Sequence, residues 1–306
     1  MFAGGAGTGL PVPMGPQVAG DALQIRGYRA GRRTVTRYRC GPGSDYASET
    51  VEPVYRTIIG LARTVFFLEG LKFTVTGDEH IPAAGGAVIA INHTGYMDFT
   101  YAGLPARTPK RYIRFMAKKD VFDNKISGPI MRALKHIPVD RTAGAESYKA
   151  AVEYLRRGEL VGVYPEATIS RSFEIKELKS GAARMAIEAQ VPIIPMVIWG
   201  AQRVWTKGFP KRLGRTNTPI SIAVGEPIHP YEPATELTAE LRATMQRLLH
   251  ELQQNYVHTP DAYWVPARLG GSAPTLEEAD ALDAAEAAAR AAKKNPAAGK
   301  DTAASE

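Results

Sequence analysis

The chain has one cysteine, Cys40, only three tryptophans, and no apolar run approaching the roughly 18 residues that a membrane-crossing helix needs. A single thiol excludes an intramolecular disulfide, and no Cys/His group has zinc-ligand spacing, so neither a disulfide framework nor a metal site is expected. Met1 is not followed by the basic and apolar segments of a secretion signal, so export is not expected either. The Gly-x-Ser-x-Gly turn on which many hydrolases mount a serine nucleophile is also missing. What remains is ordinary globular material: 306 residues, 44% hydrophobic and 23% charged, with a formal charge of +7.

Composition divides the chain into three. Residues 1–50 hold ten glycines and the run Arg26, Arg29, Arg32, Arg33, Arg37 and Arg39, which predicts a disordered Gly/Pro/Arg-rich extension. Residues 51–258 are the expected main folded domain, and residues 259–306 a linker and Ala-rich acidic tail. From residue 271 onward there are seven acids against four bases, so the basic excess belongs to the body. Thr275 with Glu278 reads as a capping box for a helix over 276–294 that has little apolar face to dock. In the body, candidate strands at 71–76, 87–91, 112–116, 160–164, 193–199 and 220–224 alternate with candidate helices near 54–68, 98–104, 127–135, 145–157, 180–189 and 236–255. The alternation predicts an α/β fold with a largely parallel sheet flanked by helices.

Strand 87–91 runs into Asn92, His93, Thr94, Gly95, Tyr96, Met97 and Asp98. Ligands in α/β sheets bind beyond the carboxyl ends of strands, which is where His93 falls. A turn at Gly95 would fold Asp98 back onto the imidazole and make it a general base; alternatively Asp98 is a helix N-cap and His93 a surface loop residue. Strand 160–164 ends in Pro165, Glu166, Ala167, Thr168, Ile169, Ser170 and Arg171, and Lys176, Lys179, Ser180 and Gly181 precede a helix whose N-terminus suits an anion. Arg141 follows the apolar run Ile137 to Val139.

Taken in order, these blocks resemble the glycerolipid acyltransferases, the 1-acyl-sn-glycerol-3-phosphate acyltransferase family. Asn92, His93 and Asp98 match its first block, Val139, Asp140 and Arg141 the second, Tyr164 to Ser170 the third, and Val191 to Pro195 the fourth. The likeness covers about residues 52–256. Two positions depart from the family pattern: Ala167 replaces a glycine, and Ile169 replaces an arginine associated with the substrate phosphate.

The resemblance implies a glycerol-3-phosphate acyltransferase-like fold and transfer of an acyl chain from acyl-CoA or acyl carrier protein to lysophosphatidic acid. It implies no cofactor beyond the acyl donor as co-substrate, and no metal. His93 would be the base and Asp98 its orienting partner. Arg141 would bind the acceptor phosphate, with Lys179 and Arg171 as further contacts, a surface salt bridge being the alternative role for each. Backbone amides at Glu166, Ala167 and Thr168 would serve the oxyanion or substrate. Other glycerolipid acceptors, such as glycerol 3-phosphate, and a non-catalytic membrane-binding module are the competing readings.

A lipid acceptor sets the enzyme at the cytoplasmic face of a membrane, peripheral or monotopic, with an anionic surface as partner. Two acid-free segments fit that surface: Arg107, Lys110, Arg111, Arg114, Lys118 and Lys119, then Arg203, Lys207, Lys211, Arg212 and Arg215 interleaved with Trp199, Trp205 and Phe209. Helix 54–68 suits the interface or the core equally. Nothing in the chain carries a nucleic-acid motif, and no nucleic-acid partner is expected.

Overall fold

Short β-branched runs alternate with helical periods, and the computed structural model, which describes residues 26–30, 33–38, 52–140 and 144–294, builds them into one nine-stranded sheet. The strands are β1 (Arg26–Ala30), β2 (Arg33–Tyr38), β3 (Lys72–Thr76), β4 (Ala87–Ile91), β5 (Ile113–Lys118), β6 (Ile137–Val139), β7 (Leu160–Val163), β8 (Ile193–Trp199) and β9 (Pro219–Val224). The helices are α1 (Pro53–Leu68), α2 (Asp98–Ala102), α3 (Lys119–Asp123), α4 (Ser127–Ala133), α5 (Gly144–Arg156), α6 (Gly181–Ala189), α7 (Ala234–Gln254) and α8 (Leu276–Lys294).

Across the sheet the order is β1-β2-β3-β9-β8-β4-β7-β5-β6. Strands β8, β4, β7, β5 and β6 are parallel neighbours in turn, and β3 is parallel to β9. The antiparallel pairs are β8 with β9, β1 with β2, and β2 with β3. The expected largely parallel sheet is therefore present.

Both faces are covered, as parallel strands require. Along β4, Val88 and Ala90 join a core with α5, α6 and α7, whereas Ala87, Ile89 and Ile91 join a second core with Phe66 of α1 and Tyr101 of α2. Period-two alternation thus splits one strand between two apolar layers. The consequence is a rigid central strand whose end cannot shift without disturbing both cores.

Three differences from the sequence reading stand out. Strands β1 and β2 lie inside the stretch expected to be disordered; composition averaged over 50 residues hid a short Thr/Val-containing run that pairs with the open edge of β3. β6 carries Pro138 and is too short to show a period, which suits its edge position. Finally, residues 259–275 are no simple linker, because Trp264, Val265 and Ala273 are buried in the α7 side of the core.

Candidate active site

Three adjacent parallel strands, β7, β4 and β8, end on the same side of the sheet, and the loops that leave them converge there. Asn92 closes the end of β4. Its side-chain amide accepts the Ile198 N–H at 2.7 Å and donates to the Ile198 carbonyl at 3.1 Å, extending the pairing with β8 by one step. Asn92 is therefore a brace in the strand end.

His93 follows. Its Nδ1 lies 3.0 Å from Asp98 Oδ2, and that oxygen also accepts the N–H groups of Thr94 at 2.8 Å and Gly95 at 2.9 Å. An ionised carboxylate so placed only accepts, so it takes the hydrogen of Nδ1, and in the neutral ring Nε2 is then the nitrogen with the lone pair. Asp98 is completely buried, while the His93 side chain is 22% exposed. The pair thus has one member fixed in the protein and the other open to a ligand. A side chain at position 95 would put its Cβ 2.9 Å from the Trp205 carbonyl and 3.2 Å from Asp98 Oδ1, so glycine is what lets the turn close.

The β7 loop holds His93 from the other side. Glu166 Oε1 accepts the His93 N–H at 2.8 Å, and Oε2 accepts the Lys176 N–H at 3.1 Å. Burial pushes the Glu166 carboxyl up to about 7, against the lowering effect of those two backbone donors. The Ser170 N–H donates to the His93 carbonyl at 2.7 Å, so both backbone groups of His93 are tied to this loop. The Tyr164 ring stacks on the imidazole with centroids 4.3 Å apart. Burial, helped by the nearby Asp98 charge, raises the Tyr164 phenol well above its ordinary value and keeps it neutral.

Ala167 adopts φ 61°, the left-handed conformation that glycine takes without strain, and its N–H donates to the Tyr164 carbonyl at 3.0 Å. That amide is committed to the turn, which leaves Glu166 and Thr168 as the oxyanion candidates of the three. Ile169 turns its apolar side chain inward, 7% exposed. Thr168 Oγ1 accepts from Lys176 Nζ at 3.2 Å.

The expected cations separate. Arg171 is paired with Asp283 and Glu286 of α8, so it is engaged within the chain. Lys179 is exposed, with its N–H donated to the Pro165 carbonyl at 2.9 Å. Arg141 falls outside the described residues. Several bases assigned to a membrane surface are structural instead. Arg114 is buried between Glu52 and Glu159, Arg111 donates to the carbonyls of Pro82, Gly85 and Gly158, and Arg203 lies over the Trp264 ring at 4.4 Å. Trp199 is fully buried and is a core residue.

Two contributions escaped the sequence reading, which named Ser170 only as the end of the third block and Thr206 not at all. Ser170 acts through its backbone, which no residue pattern encodes. Thr206 Oγ donates to the Thr94 carbonyl at 2.7 Å, and the Tyr96 N–H donates to the Trp205 carbonyl at 3.0 Å, so the β8 loop clamps the histidine turn across more than a hundred residues of sequence.

Residues 72–199 match the profile of the Acyltransferase family. The chain is 29% identical over 208 residues to a 1-acyl-sn-glycerol-3-phosphate acyltransferase of Bacillus subtilis, covering 65% of this chain and 97% of that one. A protein of the same description from Limnanthes douglasii is 29% identical over 161 residues, and the chain spans 54% of its length. Among solved structures, the 1-acyl-sn-glycerophosphate acyltransferase of Thermotoga maritima shares the fold, with a TM-score of 0.55 and 23% identity over 66% of this chain and 81% of that one.

Proposed function

Since the chain belongs to the acyltransferase family and is an enzyme of that class, we propose that it moves an acyl chain from acyl-CoA or acyl carrier protein to the free hydroxyl of lysophosphatidic acid, giving phosphatidic acid. The observation that carries this reading is the His93 ring with Nδ1 fixed on buried Asp98 and its side chain still 22% exposed at the sheet's carboxyl end.

In this reading Nε2 takes the hydroxyl proton as the oxygen bonds to the thioester carbonyl carbon. The carbon–sulfur bond then breaks, and the imidazolium returns the proton to the departing thiolate. Asp98 holds the tautomer and stabilises the transient cation. No covalent acyl-enzyme is needed, in keeping with a site built around a base.

The lipid acceptor requires contact with a bilayer surface, and none of the described helices is long and apolar enough to cross one. Helix α1 leaves Leu61, Val65, Phe67 and Leu68 exposed, and its end adjoins Arg215, whose Cγ lies 3.5 Å from where a Cβ on Gly70 would sit. Lys211, Arg212 and Arg215 are exposed, Lys211 rests over Trp205 at 4.2 Å, and Trp205 packs on Tyr96 of the histidine turn. Apolar side chains beside bases at the mouth of the site support peripheral docking on an anionic interface.

An acceptor screen with mass-spectrometric product identification tests the proposal. Phosphatidic acid formed from lysophosphatidic acid in preference to glycerol 3-phosphate and other lysophospholipids is the expected result; thioester cleavage with no acylated lipid would overturn it.

A further inference from the structure

Next to the histidine site lies a concentration of charge whose pairing with α8 the acyl-transfer reading does not explain. Arg171 Nε is 3.0 Å from Asp283 Oδ1, and its Nη2 is 2.8 Å from Glu286 Oε2. Lys207 Nζ is 2.6 Å from each of the same two oxygens, and Lys176 Nζ is 2.8 Å from Asp283 Oδ2 and 3.6 Å from Asp280 Oδ1. Glu286 also pairs with Arg290 of its own helix. Three cations from the two loops flanking His93 therefore converge on two carboxylates of α8.

The cations are recessed, with side-chain exposures of 18% for Arg171, 12% for Lys176 and 16% for Lys207. They also touch the catalytic turn. Lys176 shares the Glu166 carboxylate with His93 through its backbone N–H, and Arg171 follows Ser170, whose N–H holds the His93 carbonyl.

Helix α8 has little else to hold it. Over residues 276–292 Ala279 is the one buried side chain, and Leu276 and Leu282 are exposed, whereas α7 buries Leu237, Leu241, Met245, Leu248 and Leu249. A helix without a buried apolar stripe depends on its ionic contacts and belongs to the readily opened part of a structure.

The geometry of Arg171 adds a chemical argument. Its two aligned donors, Nε and Nη2, are answered by one oxygen from each of two carboxylates. A single phosphate would take both prongs of that fork and still offer oxygens to the lysines.

We propose that Arg171, Lys176 and Lys207 form a phosphate-binding site beside the catalytic turn, which α8 fills with Asp283 and Glu286 until a phosphate-bearing ligand displaces the helix. The group it takes is a phosphomonoester or diphosphate, carried by a lipid headgroup or by a soluble ligand. The ligand's place in the reaction rests on the acyl-transfer reading; the site and its occlusion do not.

Hydrogen–deuterium exchange on the full chain tests displacement without turnover. Exchange over residues 276–294 is followed with inorganic pyrophosphate, with phosphatidylcholine vesicles containing phosphatidic acid, and with pure phosphatidylcholine vesicles, at ionic strength matched with sodium chloride. Faster exchange with pyrophosphate assigns the site to a soluble ligand, and faster exchange with phosphatidic acid vesicles alone assigns it to a headgroup. Unchanged exchange with both overturns the proposal, as does an equal rise with chloride alone.

Affinity gives an independent reading. Removing the internal competitor in Asp283→Asn/Glu286→Gln should tighten binding of the effective probe by about tenfold, because a larger share of molecules presents an open site. Equal affinity in wild type and a folded variant would contradict occlusion. Tightened binding with no acyl transfer would leave this site standing and remove the acyl-transfer reading, whereas normal transfer with unchanged binding would do the reverse.

Discussion

Nδ1 of His93 stands 3.0 Å from Oδ2 of Asp98, and the same oxygen receives two backbone N–H groups from the turn between them. The five-residue spacing is thus closed by the backbone as well as by the imidazole. Asp98 is at once the partner of the imidazole and the keystone of the turn that presents it.

Asp98→Asn should separate those roles. The carboxamide retains an oxygen for Thr94 and Gly95 but loses the charge that stabilises imidazolium. Turnover should fall by about two orders of magnitude or more with a small change in melting temperature, as measured by steady-state kinetics and thermal unfolding.

Glu166 sets a pH dependence of stability. Its folded value, about 7, lies above the ordinary 4.5, so the folded chain holds a proton that the unfolded chain has lost. Stability from this group is complete below about 4.5 and declines as pH rises towards 7. Glu166→Gln removes the titration. The melting temperature of the variant relative to wild type should therefore rise between pH 5 and pH 8, and a constant difference would show that the carboxyl is not raised.

Ala167 occupies a left-handed backbone position at φ 61°. Ala167→Gly should relieve the conformation and stabilise the chain by about 0.5–1 kcal/mol, less the extra freedom that glycine brings to the unfolded state. Chemical denaturation of the two proteins measures this.

Leu61 and Phe67 are 65% and 54% exposed on α1, so replacing them leaves the core intact. Leu61→Glu/Phe67→Glu should weaken sedimentation with anionic vesicles by about tenfold or more, since each loses the burial free energy of a large apolar side chain. Binding equal to wild type would move the docking face elsewhere.

Much of this site was legible in the sequence for a physical reason. A buried strand with five apolar residues, Ala87 to Ile91, announces itself, and a glycine turn ending in Asp98 permits few closures. The Glu166 side chain was visible as a residue but not as a brace, because its partners are backbone N–H groups 73 and 10 positions away. Charge counting did not separate surface bases from structural ones: Arg114 and Lys207 look alike in a basic run, yet one is buried between two glutamates and the other is bound to α8. The capping box at Thr275 and Glu278 was readable and is formed, with the Thr275 N–H donating to the carboxylate at 2.8 Å. The docking of α8 was not readable, because an exposed helix held by carboxylates leaves no apolar period to detect.

The most direct test of the central claim is acceptor-dependent thiol release from acyl-CoA by wild type and His93→Ala, with circular dichroism confirming that both are folded. Wild type should release thiol in step with added lysophosphatidic acid, and His93→Ala should do so at least about 100-fold more slowly. Near-native acceptor-dependent release by folded His93→Ala would contradict the account.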